Sequence, residues 1–272
     1  MTIKSRKQLV TLSQAIAFPE TRIKWRTQDN SVLYGIYQPS PIVPVLDDFG
    51  KNVKFAIGGF DLDHTVILPK SGNRFARDEK DWKFQFGKER TRQKMQNYLV
   101  NYNKLASPEL EDGCISDPIA TCVPILVIFS NQGGIVLDLK KKPKPAKLSR
   151  YQQFQIKLEA VCRQINLPMY IIASTKKDEY RKPSTGMFNL VSELFCNQYK
   201  LSKDQSRRLL FSNSNSFYVG DAEDASVNHS DDDSQFARAI GVKFMNPGNF
   251  FLSHDDRTAT FAPEIKEIAE IV

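Results

Sequence analysis

Five short apolar runs, separated by stretches with helical spacing, constrain this chain more than any other feature. They are Val53–Phe60 (VKFAIGGF), Val123–Phe129 (VPILVIF), Pro168–Ala173 (PMYIIA), Phe217–Val219 and Gly241–Met245 (GVKFM). A strand with one wet face alternates apolar and polar residues; continuous apolar runs of this length are strands covered on both faces. Between them, apolar residues recur at helical spacing. Lys88–Leu105 carries Met95, Tyr98, Leu99, Tyr102 and Leu105. Ser149 caps a stripe of Tyr151, Phe154, Leu158, Val161 and Ile165, and a third stripe runs through Met187, Leu190, Val191, Leu194 and Phe195. Pro263 opens a last helix with Ile265, Ile268 and Val272 inside. Alternation of this kind predicts an α/β fold, a doubly wound parallel sheet with helices on both faces.

The length of 272 residues suits one large domain, or at most two small ones. Three stretches read as loops or insertions: polar Ser107–Thr121, strongly basic Asp138–Lys147 and Asn213–Ser216. The first 19 residues carry Lys4, Arg6 and Lys7 and no acid until Glu20, so residues 1–22 are expected to form a flexible basic extension rather than an organelle presequence. The net charge of +7 favours polyanionic partners, nucleic acid or acidic lipid, and is equally compatible with a soluble protein that is merely basic. Cys114, Cys122, Cys162 and Cys196 form no C-x-x-C pair and have no histidine cluster nearby. Neither a zinc site nor a disulfide framework is expected, and the usage points to a reducing compartment. No apolar run approaches the length of a membrane span, so no membrane partner is expected.

Ligands of open parallel sheets bind outside the carboxyl ends of the strands, so the residues after each run carry the chemistry. Phe60-Asp61-Leu62-Asp63-His64-Thr65 follows the first. Two carboxylates two residues apart on extended chain face the same way, one able to attack phosphorus and the other to handle the proton of the leaving oxygen. Ser130 and Asn131 follow the second run, where a hydroxyl and adjacent backbone N–H groups can hold phosphate oxygens. Arg181-Lys182-Pro183 follows the third; its lysine can neutralise a nucleophile and a phosphoryl group together. Gly220-Asp221, with Glu223 and Asp224, follows the fourth, and carboxylates facing Asp61 make an oxygen-only site suited to Mg²⁺.

Four such signals in this order resemble the haloacid dehalogenase superfamily. That resemblance implies a Rossmann-like core, with Asp61 as nucleophile, Asp63 as acid and then base, and Ser130, Asn131 and Lys182 as phosphate binders. It implies Asp61, Asp221 and the backbone carbonyl of Asp63 as ligands of Mg²⁺; Asp224, an acid where the family usually has glycine, is an extra candidate for the metal site. Only Ser174–Arg181 separate the third run from Lys182, and one helix and a polar insertion separate the first run from the second. No cap domain is therefore expected, which leaves a site open to a polymeric substrate.

Longer strings resemble the phosphatase domain of polynucleotide kinase/3′-phosphatase. They are Gly59-Phe-Asp-Leu-Asp-His-Thr-Val-Ile, Lys70-Ser-Gly-Asn-Arg-Phe, Asp81-Trp82-Lys83, Phe129-Ser-Asn-Gln-Gly-Gly-Ile, Tyr180-Arg-Lys-Pro-Ser-Thr-Gly-Met and Phe217-Tyr-Val-Gly-Asp-Ala. The resemblance implies one phosphatase domain over residues 23–272, with the basic insertion at 138–147, that removes 3′-phosphates from DNA at nicks, gaps and double-strand breaks. It implies a role in strand-break repair, a nuclear location with the mitochondrion as alternative, and a monomer. No G-x-x-x-x-G-K-S/T phosphate loop occurs, so no kinase activity is expected, as in the stand-alone fungal DNA 3′-phosphatases. Lys70, Arg74, Lys140, Lys141 and Lys142 are candidate phosphate-backbone contacts, and Trp82 is a candidate for stacking on a base or, equally, a core anchor. The chain departs from the family pattern at His64, where glycine is usual, and at Gly220-Asp-Ala-Glu-Asp-Ala, where the usual arginine is missing. The rival readings are a small-molecule phosphomonoesterase of the same superfamily and an inactive DNA-end-binding module.

Overall fold

A computed structural model describes residues 23–39, 53–105, 121–137, 148–207, 209–224 and 230–253. The extension at 1–22, the polar stretch from 107 to 120, the basic stretch 138–147 and the helix expected from Pro263 lie outside the described residues.

Each apolar run becomes a strand of one sheet. β3 (Val53–Phe60) is central. β6 (Thr121–Asn131) and β7 (Met169–Ser174) lie successively to one side of it, and β9 (Phe217–Val219) and β10 (Lys243–Met245) to the other. These five are mutually parallel, and two-residue β8 (Leu210–Phe211) adds a short parallel pairing to β3. The chain thus winds outward from β3 through β6 to β7, then returns to the far side of β3 for β9. That reversal opens a crevice at the carboxyl ends of the central strands.

The sheet also has an antiparallel edge that the apolar runs did not announce. β1 (Arg26–Gln28) and β2 (Val32–Tyr37) form a hairpin, and β2 runs antiparallel along β7. Asp29 and Asn30 both take φ near +50° between these strands, the conformation that tight hairpin turns demand and short polar side chains tolerate. The turn reaches across the sheet edge: Tyr180 donates its hydroxyl to Asp29 Oδ2 (2.6 Å), Thr175 Oγ1 donates to the Ser31 carbonyl (2.8 Å), and Ser31 Oγ bonds Asp178. A second, two-stranded sheet pairs β4 (Ile67–Leu68) with β5 (Lys83–Phe84) beyond the end of β3.

Helices cover both faces. α1 (Lys88–Leu105), α2 (Arg150–Ile165) and α6 (Pro247–Leu252) share one apolar cluster with Ala56, Phe60 and Ile128. α3 (Gly186–Gln198) and α5 (Asp232–Ala239) share the other with Phe55, Ile57 and Phe129, and short α4 (Lys203–Arg207) follows α3. Successive residues of β3 therefore face opposite clusters, which is why its sequence reads as unbroken apolar. At Gly58 and Gly59 the helix and neighbouring strand close directly onto bare backbone. A Cβ there would lie 3.0 Å from the Tyr98 ring and 2.9 Å from the Tyr218 ring respectively. α2 starts as its sequence predicts: Ser149 Oγ accepts from Gln152 N (3.2 Å) while Gln152 Oε1 accepts from Ser149 N (2.9 Å), a reciprocal cap whose serine contributes about 1 kcal/mol.

Candidate active site

β3 delivers Asp61 into the crevice. Its backbone N–H donates to the Val219 carbonyl (2.8 Å), so the strand ladder fixes the residue between β3 and β9. Leu62 then turns into the core with no exposure, and its carbonyl accepts from the N–H groups of both Val66 and Ile67 (3.0 Å each). Asp61 and Asp63, on either side of this buried plug, both line one cavity of about 640 Å³ at the carboxyl end of the sheet.

Lys182 enters the same cavity and is 3% exposed. Its position is set by Asn131 at the end of β6, whose side-chain amide accepts from Lys182 N (3.0 Å) and donates to Lys182 O (3.1 Å). The ammonium donates to Asp61 Oδ1 (2.6 Å), Asp233 Oδ1 (2.7 Å), the Tyr218 hydroxyl (2.8 Å) and the Phe129 carbonyl (3.1 Å). Burial pulls its pKa down, but the Asp233 and Asp61 carboxylates outweigh burial and hold it above the ordinary lysine value, so it stays charged. Asp233 is clamped in turn, accepting from Tyr218 Oη (2.9 Å) and from the Ala222 N–H (3.1 Å).

Asp61, Asp221 and Asp233 form an acidic group whose nearest oxygens all lie within 4.8 Å of one another. Burial pushes the Asp61 carboxyl well above the ordinary range; Lys182 opposes this and the neighbouring acids reinforce it. Burial and then Asp233 push Asp221 up as well. One ammonium does not offset three crowded carboxylates. An all-oxygen donor set with this excess negative charge fits a hard divalent cation such as Mg²⁺, which the group would hold through Asp61, Asp221 and Asp233.

Asp63 is held differently. Gln132 Nε2 donates to its Oδ2 (2.7 Å) and to Ser130 Oγ (2.9 Å), and Lys157 from α2 donates to its Oδ1 (3.2 Å). Ser130 Oγ, which accepts from Gln132, is itself 1% exposed and lies behind the residues that line the cavity.

The structure therefore gathers Asp61, Asp63, Asn131, Lys182 and Asp221 around one cavity, with Ser130 tied to Asp63 through Gln132. It corrects the reading of Asp224. That residue is exposed and outside the acidic group, because the chain turns away after Ala222 and the third carboxylate comes from the first turn of α5, as Asp233. Asn131 is a brace for Lys182 through its side chain. Trp82 is no stacking platform: it is 8% exposed in the core and packs edge-on against Phe84. Arg74 lines the cavity and Lys70 is exposed beside it in sequence; Lys140, Lys141 and Lys142 lie outside the described residues. Sequence reasoning missed Asp233, Gln132, Lys157 and Tyr218. It also missed Arg150 and exposed Phe75 on the cavity wall. Only Asp233 had a readable signal: Asp233, Phe236, Ala237 and Ile240 form a buried stripe at helical spacing.

Comparison with known proteins adds the family. A family model described as polynucleotide kinase 3 phosphatase matches residues 56–251. A bifunctional polynucleotide phosphatase/kinase of Schizosaccharomyces pombe is 34% identical over 195 residues, covering 72% of this chain and 37% of that protein. The polynucleotide 3′-phosphatase ZDP of Arabidopsis thaliana is 34% identical over 135 residues, 47% of this chain and 18% of its own length. A polynucleotide 3′-phosphatase of Saccharomyces cerevisiae is 27% identical over 241 residues, 75% of this chain and 89% of its own length. The chain thus spans well under half of the first two relatives and most of the third.

Proposed function

The chain belongs to the polynucleotide kinase 3 phosphatase family, and from that membership and the site we propose that it hydrolyses the phosphomonoester at the 3′ end of a DNA strand through a phospho-aspartate on Asp61. The observation that carries the reading is Asp61 at a parallel-strand end, 2.6 Å from a buried, charged Lys182, with a second aspartate two residues on. An Asp61 oxygen attacks phosphorus while the bond from phosphorus to the sugar O3′ breaks, and Asp63 gives its proton to that oxygen. Water then attacks the acyl phosphate and yields its proton to Asp63, releasing inorganic phosphate and restoring Asp61. Lys182 and the Ser130 hydroxyl stabilise the phosphoryl oxygens in both steps. Mg²⁺ on Asp61, Asp221 and Asp233, with the Asp63 carbonyl, would supply the positive charge that brings a phosphate dianion up to a carboxylate.

The short connection from β7 to Lys182, residues 175–181, supports an uncapped site. Arg74, Arg150 and Arg181 on the cavity wall suit a polyanionic strand, and exposed Phe75 lies at its rim. The test is phosphate release from a nicked duplex bearing a 3′-phosphate, with Mg²⁺ and with EDTA, beside a 5′-phosphate duplex and p-nitrophenyl phosphate. Mg²⁺-dependent release from the 3′ end alone is expected. Preference for the aryl ester would instead mark a small-molecule phosphatase, and no release at all an inactive end-binding module.

A further inference from the structure

Lys157 is out of place by the logic of its helix. It sits on α2 among Phe154, Leu158, Val161, Cys162 and Ile165, the stripe that faces the core, and is itself 8% exposed. Lysines on packed helices normally reach water, because stripping an ammonium of its hydration costs several kcal/mol unless an anion replaces it. Here the stem passes the Phe154 ring, with Nζ 5.8 Å from the centroid, and the ammonium ends on Asp63 Oδ1 at 3.2 Å. The other Asp63 oxygen accepts from Gln132 at 2.7 Å. A carboxylate with one donor can swing about its terminal torsion. With a donor on each oxygen, from two different elements, its plane is fixed.

We propose that Lys157 is a positioning residue for Asp63, holding the carboxyl in the orientation from which it protonates the departing sugar oxygen and so favouring esters whose leaving group needs that proton. The inference rests on the assignment of Asp63 as acid and base. A 3′-phosphate leaves as a sugar alkoxide, close to hydroxide in basicity, and its departure is slow without a proton. An aryl phosphate leaves as nitrophenolate, which is stable unprotonated at neutral pH. Losing the hold on Asp63 therefore injures the two reactions unequally. Losing a charge that only binds phosphate, or a contact that only packs the helix, injures them alike.

The experiment compares first-turnover rates on a DNA 3′-phosphate and on p-nitrophenyl phosphate, because Asp63 also serves as base in the second step and steady-state rates would mix the two. The proteins are wild type, Asp63→Asn, Lys157→Met, Lys157→Gln and the double variant Asp63→Asn/Lys157→Met. Asp63→Asn should lose about 10²–10⁴-fold on DNA and far less in the nitrophenolate burst. Both Lys157 variants should follow the same pattern, losing about 10–10²-fold on DNA and under about 3-fold on the aryl ester, for a hold that is loosened rather than an acid that is deleted. In the double variant the Lys157 change should add nothing. Equal losses on both esters in both Lys157 variants, or a further loss in the double variant, would overturn the proposal while leaving the Asp63 assignment standing. An Asp63→Asn enzyme that does not discriminate between the esters would sink that assignment and the Lys157 role with it.

Discussion

Gly220→Ala tests whether the three-carboxylate site is as tightly packed as it is charged. Gly220 directly follows β9, and a Cβ built on it would lie 2.5 Å from the Asp233 carboxyl carbon and 2.6 Å from Asp233 Cβ. Carbons in contact sit about 3.5 Å apart or more, so Asp233 must retreat by roughly 1 Å. A rotamer change does not suffice, because Asp233 Cβ is itself in the way; the first turn of α5 has to move. A 1 Å retreat stretches the 2.7 Å bond from Lys182 and the 2.9 Å bond from Tyr218 past useful hydrogen-bond length. Overpacking of this kind costs about 1–3 kcal/mol, or ~2–12 °C in Tm for a domain of this size. Misplacing a catalytic constellation by about 1 Å costs ~10²-fold in rate. Thermal melts and single-turnover phosphate release measure the two effects separately. An alanine variant that melts and turns over like wild type would show that the site absorbs a methyl group, and would refute the argument that packing against Gly220 fixes Asp233.

Asp61→Asn should lower phosphate release at least ~10³-fold by deleting the covalent step; near-normal turnover would remove Asp61 as nucleophile. The raised pKa values of Asp61 and Asp221 mean that the folded chain binds more protons than the unfolded one above the ordinary carboxylate value near ~3.9. Stability in EDTA should therefore fall as pH rises through the folded pKa values, and Mg²⁺ should raise Tm more at pH 8 than at pH 5; a Tm in EDTA that climbs over this range would contradict the reading. Asp81 has the opposite sign. The N–H of Arg77 and the hydroxyl and N–H of Ser71 draw its pKa down to about 2, so its hold on the 71–81 loop is complete above ~4 and lost as pH falls toward 2. Asp81→Ala should accordingly speed tryptic cleavage after Arg74 and Arg77 at neutral pH, and an unchanged cleavage rate would argue against that role.

The parallel core was legible because two-sided burial writes itself into sequence as unbroken apolar runs, and the cavity aspartates Asp61, Asp63 and Asp221 were legible because they follow such runs. What stayed hidden was decided by residues far apart in the chain. Asp224 looked like the third acid by proximity to Asp221, whereas helix phase selects Asp233 from the run Asp231-Asp232-Asp233 and points it inward with Phe236 and Ala237. Lys157 and Gln132 meet Asp63 from sequence separations of 94 and 69 residues, which no local pattern records. Trp82 lies between charged residues Asp81 and Lys83 in the sequence, so its place in the core depends on packing against Phe84 that only the fold creates. The β1–β2 edge was missed because its strands are short and Gly35 interrupts the apolar pattern.

The hairpin turn at Asp29–Ser31 braces the 175–181 loop through Tyr180, Thr175 and Asp178, and Lys182 sits at the end of that loop. Genetic screens for lost activity should consequently return hits at Asp29 and Ser31, residues that do not line the cavity. Such alleles would pass for surface polymorphisms on inspection and behave as partial active-site lesions in cells. Their signature would be a turnover defect without a matching fall in protein abundance, which separates a slackened brace from ordinary misfolding.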